Sequence, residues 1–106
     1  MAANEKLVER VAAALAGKRT ERKKMFGGIC FMVRGKMCVT VGADRIMVRI
    51  DPEDHDAAIA RPGASTMVMK GREYRGYVRV AESAIKTKPQ LDRWVRMALE
   101  YNKRLA

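Results

Sequence analysis

Hydrophobic and polar positions alternate between residues 24 and 50 in a pattern typical of β-strands. Runs rich in Val, Ile, Met and Phe are interrupted at Arg34-Gly35-Lys36 and again at Gly42-Ala43-Asp44. Apolar runs of this length with glycine-containing breaks predict three short strands joined by two tight turns. The rest of the chain is expected to supply helices that cover this sheet and strands that widen it.

Two loops are compatible with the first hairpin, and they bury different residues. A three-residue loop, Val33-Arg34-Gly35, places Ile29 and Phe31 on the inward face, whereas a two-residue loop would bury Cys30 and Met32. We favour the three-residue loop because Ile and Phe bring more apolar area inside, worth roughly 1.5 to 3 kcal/mol for each fully buried side chain. The predicted inward positions are Ile29, Phe31, Met37, Val39, Val41, Ile46, Val48 and Ile50, and the outward ones include Cys30, Cys38, Thr40, Arg45, Met47 and Arg49.

Three segments have the spacing of amphipathic helices. The first covers residues 2–16 and stops at Gly17, and the second begins at Asp51-Pro52 with Asp51 as N-cap and runs through Ile59. The third begins near Pro89. Its predicted apolar stripe consists of Leu91, Trp94, Val95, Ala98, Leu99 and Leu105.

A second hairpin is predicted between the last two helices. Its strands are residues 65–69 and 74–80, with Lys70-Gly71-Arg72 near the turn. Strand alternation predicts that Tyr74, Val78 and Val80 share a face with Gly76, opposite Arg75, Tyr77 and Arg79. The expected fold is a single α+β domain, residues 1–106, with two layers: a five-stranded antiparallel sheet and helices mainly on one face, in the order α-β-β-β-α-β-β-α.

Composition adds a strong positive charge to this picture. The 106 residues are 48% hydrophobic and carry a formal net charge of +10, so the field of the chain attracts polyanions. The chain has no apolar run long enough to span a bilayer and no signal-peptide pattern, which predicts a cytoplasmic protein without a membrane partner. Only two cysteines are present, which excludes a disulfide framework.

Several local segments resemble the N-terminal domain of the TfoX (Sxy) family of competence regulators. They are Lys24-Met25-Phe26-Gly27-Gly28, Gly35-Lys36-Met37, Lys70-Gly71-Arg72, and Leu91 followed by Trp94 and Ala98. The resemblance implies a two-layer fold of the kind also seen in secretion chaperones, and a link to transcriptional control of DNA uptake. Full-length members carry a second, C-terminal domain. Because this sequence ends directly after its last predicted helix, we expect a stand-alone N-terminal domain. The resemblance supplies no catalytic residue.

Two basic groups are candidates for contact with nucleic acid or another anion. The first is the run Lys18, Arg19, Arg22, Lys23 and Lys24, which ends at Gly27-Gly28, where backbone N–H groups would add to the ammonium groups. The second is an outward sheet face with Arg75, Tyr77 and Arg79, on which one aromatic ring lies among cations. A solvated connector and a solvated sheet face are the simpler interpretations of both.

Four methionines, Met32, Met47, Met67 and Met69, are candidates for an adaptable apolar interface on the face away from the helices. Such a patch is typical of a homodimer or partner interface. The alternative is that loops or basic side chains cover it.

No cofactor, metal site or catalytic group is expected. Cys30 and Cys38 are predicted to share the outward face, but their spacing and the single distant His55 do not provide a zinc ligand set. Cys38 and His55 lack an orienting third group for nucleophilic catalysis. The leading hypothesis is a non-enzymatic regulatory or adaptor domain that binds a protein partner of the transcription machinery and, nonspecifically, nucleic acid. The alternative is a self-associating structural module with no nucleic-acid role.

Overall fold

The computed structural model describes residues 4–16, 18–25 and 27–105. The helices are α1 (Glu5–Ala14), α2 (His55–Ile59) and α3 (Lys88–Leu105). The strands are β1 (Thr20–Met25), β2 (Gly28–Val33), β3 (Lys36–Val41), β4 (Arg45–Arg49), β5 (Ala64–Met69) and β6 (Arg72–Ala81). Short 3-10 turns at Pro52–Asp54 and Glu82–Ala84 precede α2 and follow β6.

The six strands form one antiparallel sheet in the order β1-β2-β3-β4-β6-β5. The α+β class, the antiparallel pairing and the three helices were predicted, but the predicted number of five strands is wrong. The missed strand is β1, whose sequence Thr-Glu-Arg-Lys-Lys-Met has no apolar alternation. An edge strand needs only one backbone partner, and charged side chains are favoured there because they discourage further pairing.

All three helices pack on one side of the sheet, since their buried residues belong to a single core cluster with inward residues of the strands. Phe31, Val39 and Val48 are buried there as predicted. The helical members of the cluster are Leu7, Val8, Val11, Leu15, Ala58, Leu91, Trp94, Val95 and Ala98.

Capping interactions set the helix starts. The Asn4 side chain accepts a hydrogen bond from the Leu7 N–H (3.1 Å), so α1 begins at Glu5. The Asp51 side chain accepts one from the Glu53 N–H (2.9 Å), as expected for the predicted N-cap, although the first turn after it is a 3-10 turn. Residues 2–3 and Gly17, the predicted helix stop, lie outside the described residues.

The β2–β3 connection differs from the predicted three-residue loop. Arg34 and Gly35 both have positive φ (54° and 75°), and Val33 pairs directly with Lys36, so the loop has two residues. A β-bulge at Cys38 then restores the predicted pairing of Phe31 with inward residues of β3. As a result Cys38 joins the core, whereas Met37, predicted inward, pairs with Met32 and is only half-buried.

A second irregularity lies in β6. Thr66 pairs with Val78 but the next residue, Met67, pairs with Tyr74, which leaves residues 75–77 without partners on β5. Gly76, buried at φ +92°, allows this bulge because a left-handed backbone suits glycine. Thr66, which pairs with Val78, and the next residue, Met67, face opposite sides of the sheet, so Tyr74, the partner of Met67, faces away from Val78. The predicted grouping of Tyr74 with Val78 and Val80 is therefore wrong.

Candidate interaction sites

The basic run after α1 does not form one continuous surface. Lys18 and Arg19 are exposed in the segment before β1, whereas Arg22, Lys23 and Lys24 lie in β1. Arg22 and Lys24 pair with inward-facing residues of β2, so they project on the helical side of the sheet, and Lys23 projects on the other. The strand alternation thus divides the run between two faces.

Arg22 is also engaged within the chain. Its guanidinium carbon lies 5.1 Å from the centroid of the Phe31 ring, and its Nη1 lies 3.8 Å from a carboxylate oxygen of Glu9. The ion pair is exposed and contributes little to stability, but it reduces the positive charge that β1 presents.

Of the two glycines after β1, Gly28 serves strand packing. Met25 of β1 pairs with Gly28 of β2; Phe26 lies outside the described residues. A Cβ atom on Gly28 would collide with the carbonyl oxygen of Val41. Gly28 is therefore required for the close approach of β2 and β3.

A basic depression forms where the segment before β1, the β2–β3 turn and α3 meet. We call it the basic groove; it has a volume of about 230 Å³. Four cations and one carboxylate line it: Lys18, Arg34, Arg96, Lys103 and Glu100, with Leu99. Among the described residues, none of the four cations lies within 4.0 Å of a carboxylate. The groove therefore holds unneutralised positive charge.

The groove is held in shape by Asn102, a buried polar residue of α3. Its Nδ2 donates to the Val33 carbonyl (2.9 Å), and its Oδ1 accepts from Arg34 Nη1 (3.4 Å). These bonds fasten α3 to the β2–β3 turn. Sequence reasoning identified Lys18 but missed Arg34, Arg96 and Lys103, since single basic residues on separate elements carry no local signal.

The second predicted basic group lies far from the first. The sheet order places β6 four strand spacings from β1, roughly 19 Å at about 4.8 Å each. Arg75 forms a two-pronged ion pair with Asp56 (3.0 and 3.2 Å), which lowers the pKa of the Asp56 carboxyl and raises the pKa of Arg75. Arg79 donates to the Val68 carbonyl (3.2 Å).

All three tyrosines of the chain gather near one end of the sheet. The Tyr74 and Tyr77 rings meet edge to face, with centroids 6.2 Å apart. The Arg49 guanidinium carbon lies 5.6 Å from the Tyr77 ring centroid and 6.0 Å from that of Tyr101, and Arg104 lies 5.6 Å from the Tyr101 centroid. Two of the three rings, those of Tyr77 and Tyr101, are thus engaged by arginines of the same chain.

The methionines on the open face are unequally exposed. Met47 and Met67 are buried (7% and 4% exposed) and line a second depression, whereas Met32 and Met69 are half-buried. Met32 Sδ accepts a hydrogen bond from the Cys30 thiol at 3.7 Å. The four methionines therefore do not form one exposed patch.

The two cysteines are buried thiols in different settings. The bulge places Cys38 in the core cluster, so the prediction that it shares the outward face with Cys30 is wrong. Burial raises the pKa of Cys38 to about 12 and raises the pKa of Cys30. Both thiols are therefore protonated at neutral pH and poor nucleophiles.

His55 links α2 to the bulge in β6. Its Nδ1 accepts a hydrogen bond from the Gly76 N–H (2.9 Å), and its Nε2 lies 2.9 Å from Thr66 Oγ1. Because Nδ1 is an acceptor, the ring is the neutral Nε2–H tautomer and donates to the hydroxyl. Both ring nitrogens are used in structural bonds.

The described residues contain neither a metal-ligand cluster nor a membrane-spanning helix. No three His, Cys, Asp or Glu side chains there are grouped so as to hold a metal ion. None of the helices in that part of the chain combines the length and apolar content needed to cross a bilayer.

Comparison with known protein families gives a match. The family model described as TfoX N-terminal domain matches residues 9–101, nearly the whole chain. No curated protein and no solved structure matches.

Proposed function

Given that the chain belongs to the TfoX N-terminal domain family, we propose that it is a non-enzymatic regulatory or adaptor domain that binds an acidic surface of a protein in the transcription machinery. The proposed role is in the transcriptional control of DNA uptake, and the proposed location is the cytoplasm. The basic groove is the proposed contact site.

The observation that carries this proposal is the unneutralised charge of the basic groove. Four cations from three separate parts of the chain converge on one depression, and Asn102 fixes α3, which carries two of them, against the β2–β3 turn, which carries a third. A cationic depression of fixed shape complements a carboxylate-rich surface and speeds encounter with it. Net charge alone would provide encounter but no specific orientation.

Two features favour a protein over nucleic acid as the partner. The positive charge of β1 is divided between two faces, and Arg75 is neutralised by Asp56. The tyrosines lie outside the groove, and two of them contact arginines, so the groove lacks the aromatic platform typical of single-strand binding.

A salt titration with two probes tests this choice of partner. The wild-type chain is titrated with purified bacterial RNA polymerase and, separately, with a duplex DNA of random sequence. We expect saturable binding to the polymerase at about 0.15 M salt. The DNA complex is expected to be nonspecific, with affinity falling at a log–log slope of about −0.9 per neutralised phosphate.

Two results would overturn the proposal. One is no saturable binding of the polymerase even at low salt. The other is tighter binding of the DNA than of the polymerase at about 0.15 M salt, which would make nucleic acid the partner.

A second candidate function, self-association, is favoured by the charge-free edge strand β5. Its sequence Ala-Ser-Thr-Met-Val-Met contains no charged residue, and Val68 is 44% exposed. β1, at the opposite edge, has four charged residues in six. Since charges on an edge strand hinder further pairing, β5 is the edge open to a second copy. The alternative function is thus a symmetric dimer whose two β5 strands pair antiparallel.

Solution mass measured by sedimentation equilibrium tests the dimer. Val68→Lys should convert a concentration-dependent dimer to a monomer, because it places two lysines at the pairing edge. Ala57→Lys, on the exposed face of α2, is the control with the same charge change and should still dimerise. A monomer at all concentrations, or equal dimerisation of both variants, contradicts this candidate.

A further inference from the structure

The open face of the sheet carries a depression that neither proposed function uses. Its volume is about 440 Å³, within the usual range for small-molecule sites. It lies on the side of the sheet opposite the helices. Its lining includes Thr40, Arg45, Met47, Met67 and Arg79, and the β3–β4 turn residues Gly42, Ala43 and Asp44.

A buried hydroxyl without a partner lies in this lining. Thr40 is only 5% exposed, and its Oγ1 has no hydrogen-bond partner among the described residues. Its cross-strand neighbour Cys30 offers only a weak interaction through its thiol, whose pKa the Thr40 hydroxyl lowers against the larger, opposite effect of burial. A buried polar atom left unpaired is costly, so an O–H donor here is available to a ligand.

Two guanidinium groups accompany the hydroxyl. Arg45 and Arg79 both line the depression, and among the described residues neither lies within 4.0 Å of a carboxylate. Burial, and to a lesser extent the charge of Arg45, lowers the pKa of Arg79, as expected for two cations close together without a counter-ion. Asp44, also in the lining, is exposed on the turn.

The strand register explains how these groups come together. Thr40 pairs with Met47 of β4, and Met47 pairs with Arg79 of β6. Cross-strand partners lie on the same face about 5 Å apart, so hydroxyl, thioether and guanidinium form one row across three strands. Met67 adds a second buried thioether from β5.

We infer that this depression binds a small organic anion. Arg45, Arg79 and the Thr40 hydroxyl donate to its carboxylate or phosphate oxygens, and Met47 and Met67 contact its apolar part. Guanidinium groups match the geometry of such oxyanions, and thioether side chains adapt to apolar groups of varied shape.

Binding of three probes to the whole chain tests this inference: inorganic phosphate, phenyl phosphate and benzoate. Calorimetry gives the affinity, and amide chemical shifts locate the site. We expect saturable binding of phenyl phosphate or benzoate, with shifts centred on Thr40, Met47 and Arg79. The organic anion should bind at least about tenfold more tightly than inorganic phosphate, because only it contacts the methionines.

Three variants assign the roles, and a fourth serves as the control. Arg45→Gln and Arg79→Gln should each weaken binding about tenfold or more, whereas Arg72→Gln, on β6 outside the depression, should have little effect. Thr40→Val keeps the side-chain shape and removes the unpaired hydroxyl. We expect it to leave stability unchanged or higher while affinity falls about threefold to tenfold.

The inference is overturned by any of three results. These are no saturable binding of either organic anion, affinities in Arg79→Gln and Arg72→Gln that are equal, or inorganic phosphate binding as tightly as phenyl phosphate. An unchanged affinity in Thr40→Val would show that the Thr40 hydroxyl does not bind the ligand. None of these outcomes bears on polymerase binding, which uses the basic groove on α3.

Discussion

At the scale of single residues, the least predictable feature of the molecule is the use of His55. The sequence shows one histidine near the start of a helix, which suggested at most a distant base for Cys38. In the structure it is buried and joined to Gly76 and Thr66, residues that are 21 and 11 positions away. One of these partners is the backbone N–H of Gly76 in the β6 bulge, and no local sequence pattern indicates such a pair.

Replacing His55 with Ala should destabilise the fold. The buried N–H of Gly76 would lose its acceptor, which costs about 1 to 3 kcal/mol for an unsatisfied group. Chemical denaturation measures the change in the free energy of unfolding. Ala57→Ser, at an exposed position of the same helix, should change it by less than about 0.5 kcal/mol. Equal effects of the two substitutions would contradict the structural role of His55.

Asp51 makes stability depend on pH. The N–H of Glu53, and after it Arg104 at 2.7 Å, lowers the pKa of the Asp51 carboxyl below its ordinary value of 3.8. A group whose pKa is lowered by folding stabilises the protein above its unfolded-state pKa, and this contribution is lost as the pH falls through the folded-state value.

The free energy of unfolding should therefore fall below about pH 4, and the fall should be smaller in Asp51→Asn, which keeps an N-cap but cannot ionise. Denaturation at a series of pH values measures both curves. An identical acid-induced loss in the variant would show that Asp51 contributes nothing to it.

At the scale of elements, the sequence predicts best where apolar periodicity is strong. Helix α3 and strands β2 to β6 follow from that periodicity, because one face of each must be buried. β1 was missed since neither of its faces is buried. The β2–β3 loop was missed because a long side chain such as Arg34 rarely adopts positive φ, so Arg-Gly does not signal a two-residue turn as Asn-Gly does.

The packing of α3 can be tested at Trp94, which is buried in the core cluster. Trp94→Ala should lower the free energy of unfolding by roughly 3 to 5 kcal/mol, because it removes a large side chain and leaves a cavity. The neighbouring exposed position serves as the control, and Arg93→Ala should stay within about 0.5 kcal/mol. A Trp94 variant as stable as that control would mean that α3 packs through another face.

At the scale of the whole molecule, fold and candidate sites differ in how far the sequence reveals them. The net charge of +10 predicts attraction to anions, but the fold decides which cations lie close enough together to form a binding site. Lys18, Arg34 and Arg96 meet only because α3 crosses the β2–β3 turn, and Thr40 meets Arg79 only through the register of β3, β4 and β6. Such convergence of distant positions has no signature in local spacing.

The central claim is that the basic groove, and not the total charge, directs binding. The most direct measurement is the affinity for bacterial RNA polymerase of two double variants with equal net charge. Arg96→Gln with Lys103→Gln alters the groove, and Lys86→Gln with Arg93→Gln alters exposed positions outside it. We predict that the groove variant loses about tenfold or more in affinity and the other less than about twofold. Equal losses in the two variants would contradict the claim.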